Sequence, residues 1–137
     1  MAYSNFYARF YAFSQEIKAA GSGLWRFTPS RVYLGLAVIL QAASWLQAVF
    51  IYNHLSGELL VLHYNIDFGI DLVGPPARIF LYPLFGLGIF TLNWFLAATL
   101  HRRQYFRLFA NLLLTAALLF ALLISLALMF VYLINFR

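Results

Sequence analysis

The chain has 137 residues, of which 64% are hydrophobic and only 9% charged, against about 25% charged in an ordinary soluble domain. This composition leaves no room for a soluble domain of typical size, and the lack of cysteine excludes disulfides, thiolate metal sites and thiol nucleophiles. The net charge of +5 sits in clusters beside apolar runs, so it reads as membrane orientation rather than as a nucleic-acid footprint.

Residues 1–31 lack the succession of basic start, apolar core and small-residue cleavage site, so no removable signal peptide is expected. From Ala2 to Ala20 there is no Pro or Gly. Phe6, Phe10, Phe13 and Ile17 recur at helical spacing, with Tyr3, Tyr7 and Tyr11 in a neighbouring stripe. Arg9, Gln15, Glu16 and Lys18 fall among the polar positions. The pattern predicts an amphipathic helix in the cytoplasmic headgroup region, serving as an interfacial anchor or as a docking helix for a larger complex. Gly21-Ser22-Gly23 is expected to end it as a flexible elbow. Thr28-Pro29 then reads as a helix start, a capping hydroxyl followed by proline at the first helical position.

Three apolar runs follow, at 32–52, 79–100 and 108–134. Each reaches the roughly 20 residues that cross about 30 Å of hydrocarbon as a helix, and a backbone in lipid must satisfy its own hydrogen bonds. The expected fold is an all-α membrane protein with two parts. Residues 1–31 form the interfacial helix and elbow, and 32–137 form three transmembrane helices around an extracytoplasmic, hairpin-like loop at 53–78. Arg9, Lys18, Arg26 and Arg31 precede the first span, and Arg102, Arg103 and Arg107 crowd the link between the second and third. Only Arg78 and Arg137 fall on the other side. The positive-inside rule therefore puts the N-terminus in the cytoplasm and the C-terminus outside.

Polar and small residues within the spans mark helix–helix contacts. The first span carries Gln41, Ser44 and Gln47; the second carries Gly86 and Asn93, with Pro83 expected to bend its outer end. The third carries Asn111, Ala117, Ala121 and Ser125. Small residues let backbones approach, and amides bond across helices at about 0.6–2 kcal/mol each. Mid-membrane ionisable groups, which a solute path or proton relay would want, are absent from the spans.

The loop after the first span holds three of the four acidic residues. Leu60, Leu62, Tyr64 and Ile66 alternate with His63, Asn65 and Asp67, which is strand periodicity. Asp67-Phe68-Gly69 suits a turn back towards 70–73, and Gly74-Pro75-Pro76 suits a stop before the next helix. The predicted hairpin lays its apolar face on the outer membrane surface. His63, Asn65, Asp67 and Asp71 are candidate ligand- or partner-recognition residues, and each also suits a structural turn role. Their spacing fixes no coordination geometry, so no metal and no cofactor is assigned. The sequence presents no nucleophile–base set, glycine-rich phosphate loop or HExxH pair, and the chain is expected not to be an enzyme.

His63-Tyr64-Asn65, with Asp71 eight residues after the histidine and Gly74 three further on, resembles a family of domains of unknown function in bacterial membrane proteins. That family includes SdpI-like immunity and signalling proteins. Its pattern is a transmembrane helix, an extracytoplasmic His-aromatic-Asn…Gly…Asp…Gly segment and another transmembrane helix. The likeness covers roughly residues 32–100. It implies a bacterial inner-membrane location and an immunity or sensing role through the loop. The residues read on their own favour a non-enzymatic accessory or scaffold subunit. Such a subunit would have lipids and other membrane subunits, or further copies of itself, as partners, and no nucleic acid.

Overall fold

The computed structural model describes residues 2–54, 59–67, 69–100 and 103–136, with side chains at all of these except 2–5, 65 and 71. Residues 55–58, Phe68 of the expected turn and the basic residues Arg102 and Arg137 therefore lie outside the described residues. In chain order the elements are α1 (Ala2–Arg26), α2 (Thr28–His54), β1 (Leu60–Asn65), β2 (Gly69–Gly74), a short 3-10 helix (Pro76–Phe80), α3 (Leu81–Thr99) and α4 (Phe106–Asn135). Thr28–His54, Pro76–Thr99 and Phe106–Asn135 are long and apolar enough to cross a membrane. The chain is an all-α membrane protein with a small two-stranded antiparallel sheet between its first two spans.

Small residues explain how the three long helices meet. On α2, Ala37, Ser44 and Ala48 are buried, and on α4 the buried residues Ala110, Leu114, Ala117, Ala121, Leu128 and Val131 recur at spacings of three, four and seven. That spacing keeps one seam of α4 facing its neighbours along its whole length. Helix α4 accordingly packs on both α2 and α3.

Two features depart from expectation. Helix α1 does not end at Gly21-Ser22-Gly23 but runs through it to Arg26. Each helical glycine costs about 1 kcal/mol against alanine. The offsetting gain is packing, because Ala20 and Leu24 on either side of the glycines are buried in one cluster with Ala97, Ala98 and Ala110. The elbow falls instead at Phe27, whose N–H bonds the Leu24 carbonyl at 3.1 Å while its own carbonyl accepts from Ser30 N–H at 3.0 Å. The second is a 3-10 turn at the outer end of the second span, where only a bend at Pro83 was expected. Pro83 sits in the first turn of α3, where a missing N–H is tolerated, and the irregularity is the change of helix type at Phe80–Leu81.

The interior is concentrated at the two ends of the bundle. At one end Ala48, Ile51, Leu60, Leu62, Ile79, Leu128 and Val131 form a cluster that includes the hairpin. At the other, Ala20, Leu24, Ala97, Ala98 and Ala110 join α1 to α3 and α4, with Trp94, Phe106 and Leu113 packed beside them. We refer to these as the hairpin end and the elbow end.

Candidate recognition surface at the hairpin end

The hairpin pairs Leu60 with Gly74, Val61 with Val73, His63 with Leu72, Tyr64 with Ile70 and Asn65 with Gly69. Two compensating irregularities leave Leu62 on β1 and Asp71 on β2 outside these pairs. Ile66 and Asp67 lie in the turn, and Gly69 takes φ +76°, the left-handed conformation that glycine adopts without penalty. Gly74 closes the second strand for a steric reason. A Cβ there would stand 3.0 Å from Arg78 Cδ and 3.2 Å from Leu62 Cδ1.

The alternation read from sequence holds for half its length. Leu60 and Leu62 are buried, but Tyr64 is half-exposed and Ile66 is 89% exposed. The base of the hairpin rests on the helix ends, whereas the tip stands clear of them. A residue out of register in each strand separates the two halves.

What fixes the base was not legible from periodicity. Asn135, in the last turn of α4, accepts from Val61 N–H at 3.0 Å through Oδ1. Its Nδ2 donates to the Val61 carbonyl at 2.9 Å and to the Val131 carbonyl of its own helix at 2.7 Å. One amide thus supplies β1 with the donor–acceptor pair that a third strand would offer. The Tyr82 hydroxyl of α3 donates to the Leu62 carbonyl at 2.6 Å. Leu62 is the residue skipped by the strand pairing, so the phenol serves a carbonyl the ladder leaves over. The usable sequence signals were an amide closing the apolar outer half of α4 and a tyrosine just past the loop's prolines.

The candidate recognition residues fall around the exposed part. His63 and Asp67 are exposed, while Asn65 ends β1 beside the turn and Asp71 is the residue of β2 left out of the pairing, with their side chains outside the description. Among the described residues no three His, Asp or Glu side chains gather as a cation site would require. Around the hairpin tip Ile66, Ile70 and Tyr64 are exposed, and Leu72 and Val73 are partly so. The surface offers apolar contact area with an imidazole and a carboxylate in its rim.

Below the hairpin, the polar residues of the spans are placed as follows. Gln41 of α2 donates to the Pro83 carbonyl of α3 at 2.6 Å, and Gly86 makes room for it, since a Cβ there would lie 2.9 Å from Gln41 Oε1. Gln47 of α2 accepts from the Ser125 hydroxyl of α4 at 3.1 Å. Ser44 is buried and donates to the Leu40 carbonyl of its own helix, as Asn93 does to Ile89. Ala117 and Ala121 are buried on α4. Asn111 is half-buried, and its Oδ1 is enclosed without a partner. The glutamines and Ser125 therefore bond between helices, whereas Ser44 and Asn93 turn their polar atoms back on their own backbone.

No known protein family, curated protein or solved structure matches this chain.

Proposed function

We propose that this small integral membrane protein is a non-enzymatic accessory or scaffold subunit. In this reading it lies N-terminus in and C-terminus out in a bacterial inner membrane and engages a neighbouring membrane protein through its hairpin. The observation that supports this reading is the contrast within the hairpin. Its base is held by Asn135 and Tyr82, yet Ile66, Ile70 and Tyr64 are exposed at its tip. An apolar tip carried on an anchored base gives a partner a partly preorganised contact and lowers the ordering cost of binding. The orientation rests on Arg9, Lys18, Arg26, Arg31, Arg103 and Arg107 all falling before or at the start of the first span, or at the link between the last two.

The test is photo-crosslinking from Ile66 and Ile70 in intact membranes, followed by purification in mild detergent. A single protein adduct, co-purifying at fixed ratio, is the expected result. Adducts to lipid alone would overturn the accessory reading. Reporter fusions at Ser22, Asp67 and Arg103 should read inside, outside and inside.

A second reading, ligand recognition in the manner of SdpI-like proteins, is favoured by the exposure of His63 and Asp67 on the same hairpin. It predicts that His63→Ala or Asp67→Ala abolishes a response to an extracytoplasmic molecule while subunit association is unchanged.

A further inference from the structure

At the elbow end, the turn from α1 into α2 borders a half-open cavity of about 420 Å³, within the range of small-molecule sites. Gly21, Leu24 and Trp25 of α1 line it, with Ser30 and Arg31 of α2 and Trp94 of α3. Most of the wall is apolar, but two groups are not. Ser30 is only 4% exposed, and its hydroxyl oxygen is enclosed with no hydrogen-bond partner among the described residues. Such a group keeps an unmet hydrogen-bonding demand unless something supplies a partner. Arg31 is exposed and spends one contact on the Thr28 hydroxyl, at 3.2 Å, out of the five N–H donors a guanidinium carries.

Position and charge narrow the occupant. Arg31 lies in the first turn of a membrane span, where lipid phosphates sit, and Trp25 beside it is exposed as interfacial tryptophans are. Arg26, Arg103 and Arg107 belong to the same end of the bundle. Glu16, the one acidic residue before the first span, lines a separate groove against α3 rather than this cavity. An apolar chamber with a guanidinium and an unsatisfied hydroxyl suits a molecule with an anionic head and an apolar tail.

We propose that this cavity binds one anionic phospholipid, with its phosphate at Arg31 and Ser30 and part of an acyl chain between Leu24 and Trp94. The site does not depend on the hairpin or on the accessory role.

Native mass spectrometry of the full chain, released from micelles doped with phosphatidylglycerol or phosphatidylcholine, tests it. One phosphatidylglycerol should be retained per chain, with a preference of about fivefold over phosphatidylcholine, as one basic side chain at a membrane surface provides. Arg31→Gln should abolish the preference and Arg31→Lys should keep most of it. Gly21→Leu should reduce retention of both lipids, because it fills the space in front of Trp94, whose Cζ2 lies 3.9 Å from a Cβ at position 21. Inorganic phosphate in large excess should not displace the lipid; displacement would show a simple anion site and overturn the acyl-chain half of the proposal. Equal retention of both lipids would overturn the charge half. Retention of phosphatidylglycerol unchanged in Arg31→Gln and Gly21→Leu, with native helicity by circular dichroism, would overturn the whole.

Discussion

The two ends of this bundle are closed by different physics. At the hairpin end, polar side chains from two helices reach across to a strand and satisfy backbone groups that the ladder leaves open, Asn135 at Val61 and Tyr82 at Leu62. At the elbow end, α1 is held by contact among alanines, Leu24 and Trp94, and polar side chains such as Ser22, Asn93 and Thr99 bond carbonyls of their own helices. Two enclosed oxygens there, on Ser30 and Asn111, have no partner among the described residues. Hydrogen bonds have fixed directions, so the first end specifies one arrangement of its strands. Apolar contact between small side chains does not, so the second can adjust around a cavity.

The sharpest way to break this contrast is to remove the amide that completes β1. Asn135→Leu keeps the branched shape but leaves the Val61 N–H and carbonyl without their partner. The expected cost is about 2 kcal/mol, in the range for stranded, partly buried polar groups. It should appear as a lower unfolding midpoint in detergent and as faster proteolysis between residues 59 and 74, with α1 protection unchanged. If α1 loosens equally, the two ends are one cooperative unit and the contrast fails.

Gly86→Ala probes the middle of the bundle, with a smaller effect. The added methyl would sit 2.9 Å from Gln41 Oε1, which must swing away and weaken its bond to Pro83. A loss of about 1 kcal/mol is expected, at the low end of overpacking costs. The pair Gly86→Ala with Gln41→Ala should be less destabilised than the two single losses added together, since no oxygen remains to clash. Simple additivity in thermal unfolding of the four variants would show that Gly86 is small for some other reason.

At the elbow end the sign should reverse. Asn111 brings an enclosed carbonyl oxygen with no partner, so Asn111→Leu removes a desolvation cost instead of a bond. A gain of about 0.5–1 kcal/mol is expected, read as a raised unfolding midpoint in the same detergent. A loss would mean that the amide nitrogen contributes more than the stranded oxygen costs.

These contrasts also explain which parts were legible in the amino-acid sequence. Span number, span position and the hairpin followed from hydropathy and from alternation at Leu60 and Leu62, because burial in lipid and pleating each impose a period on the chain. The run of α1 through Gly21 and Gly23 was not legible, since local propensity favours a break there. Only packing of Ala20 and Leu24 against α3 and α4 decides otherwise. Asn135 escaped for a related reason. A single amide at a helix end looks like an ordinary terminus until the strand 74 residues away is placed beside it. His63 and Asp67, by contrast, were picked out by residue type and lie exposed, yet exposure alone does not say what they meet.

The smallest effect concerns Gln47 and Ser125, which join α2 to α4 through one bond of 3.1 Å. Hydrogen bonds between membrane helices average about 0.6 kcal/mol, because the separated helices also find partners for their polar groups. Gln47→Leu alone should cost more than this bond, since it strands the serine hydroxyl and changes packing beside the buried Ala48. Ser125→Ala alone should cost less, because alanine suits the close approach of α4's small-residue seam. The coupling energy from a double-mutant cycle isolates the pair itself and should fall near 0.6 kcal/mol. A coupling near zero would mean that small-residue packing alone holds α2 on α4. Directional polar contacts would then be confined to the hairpin and to Gln41, and the difference between the two ends would be sharper than the hydrogen bonds alone suggest.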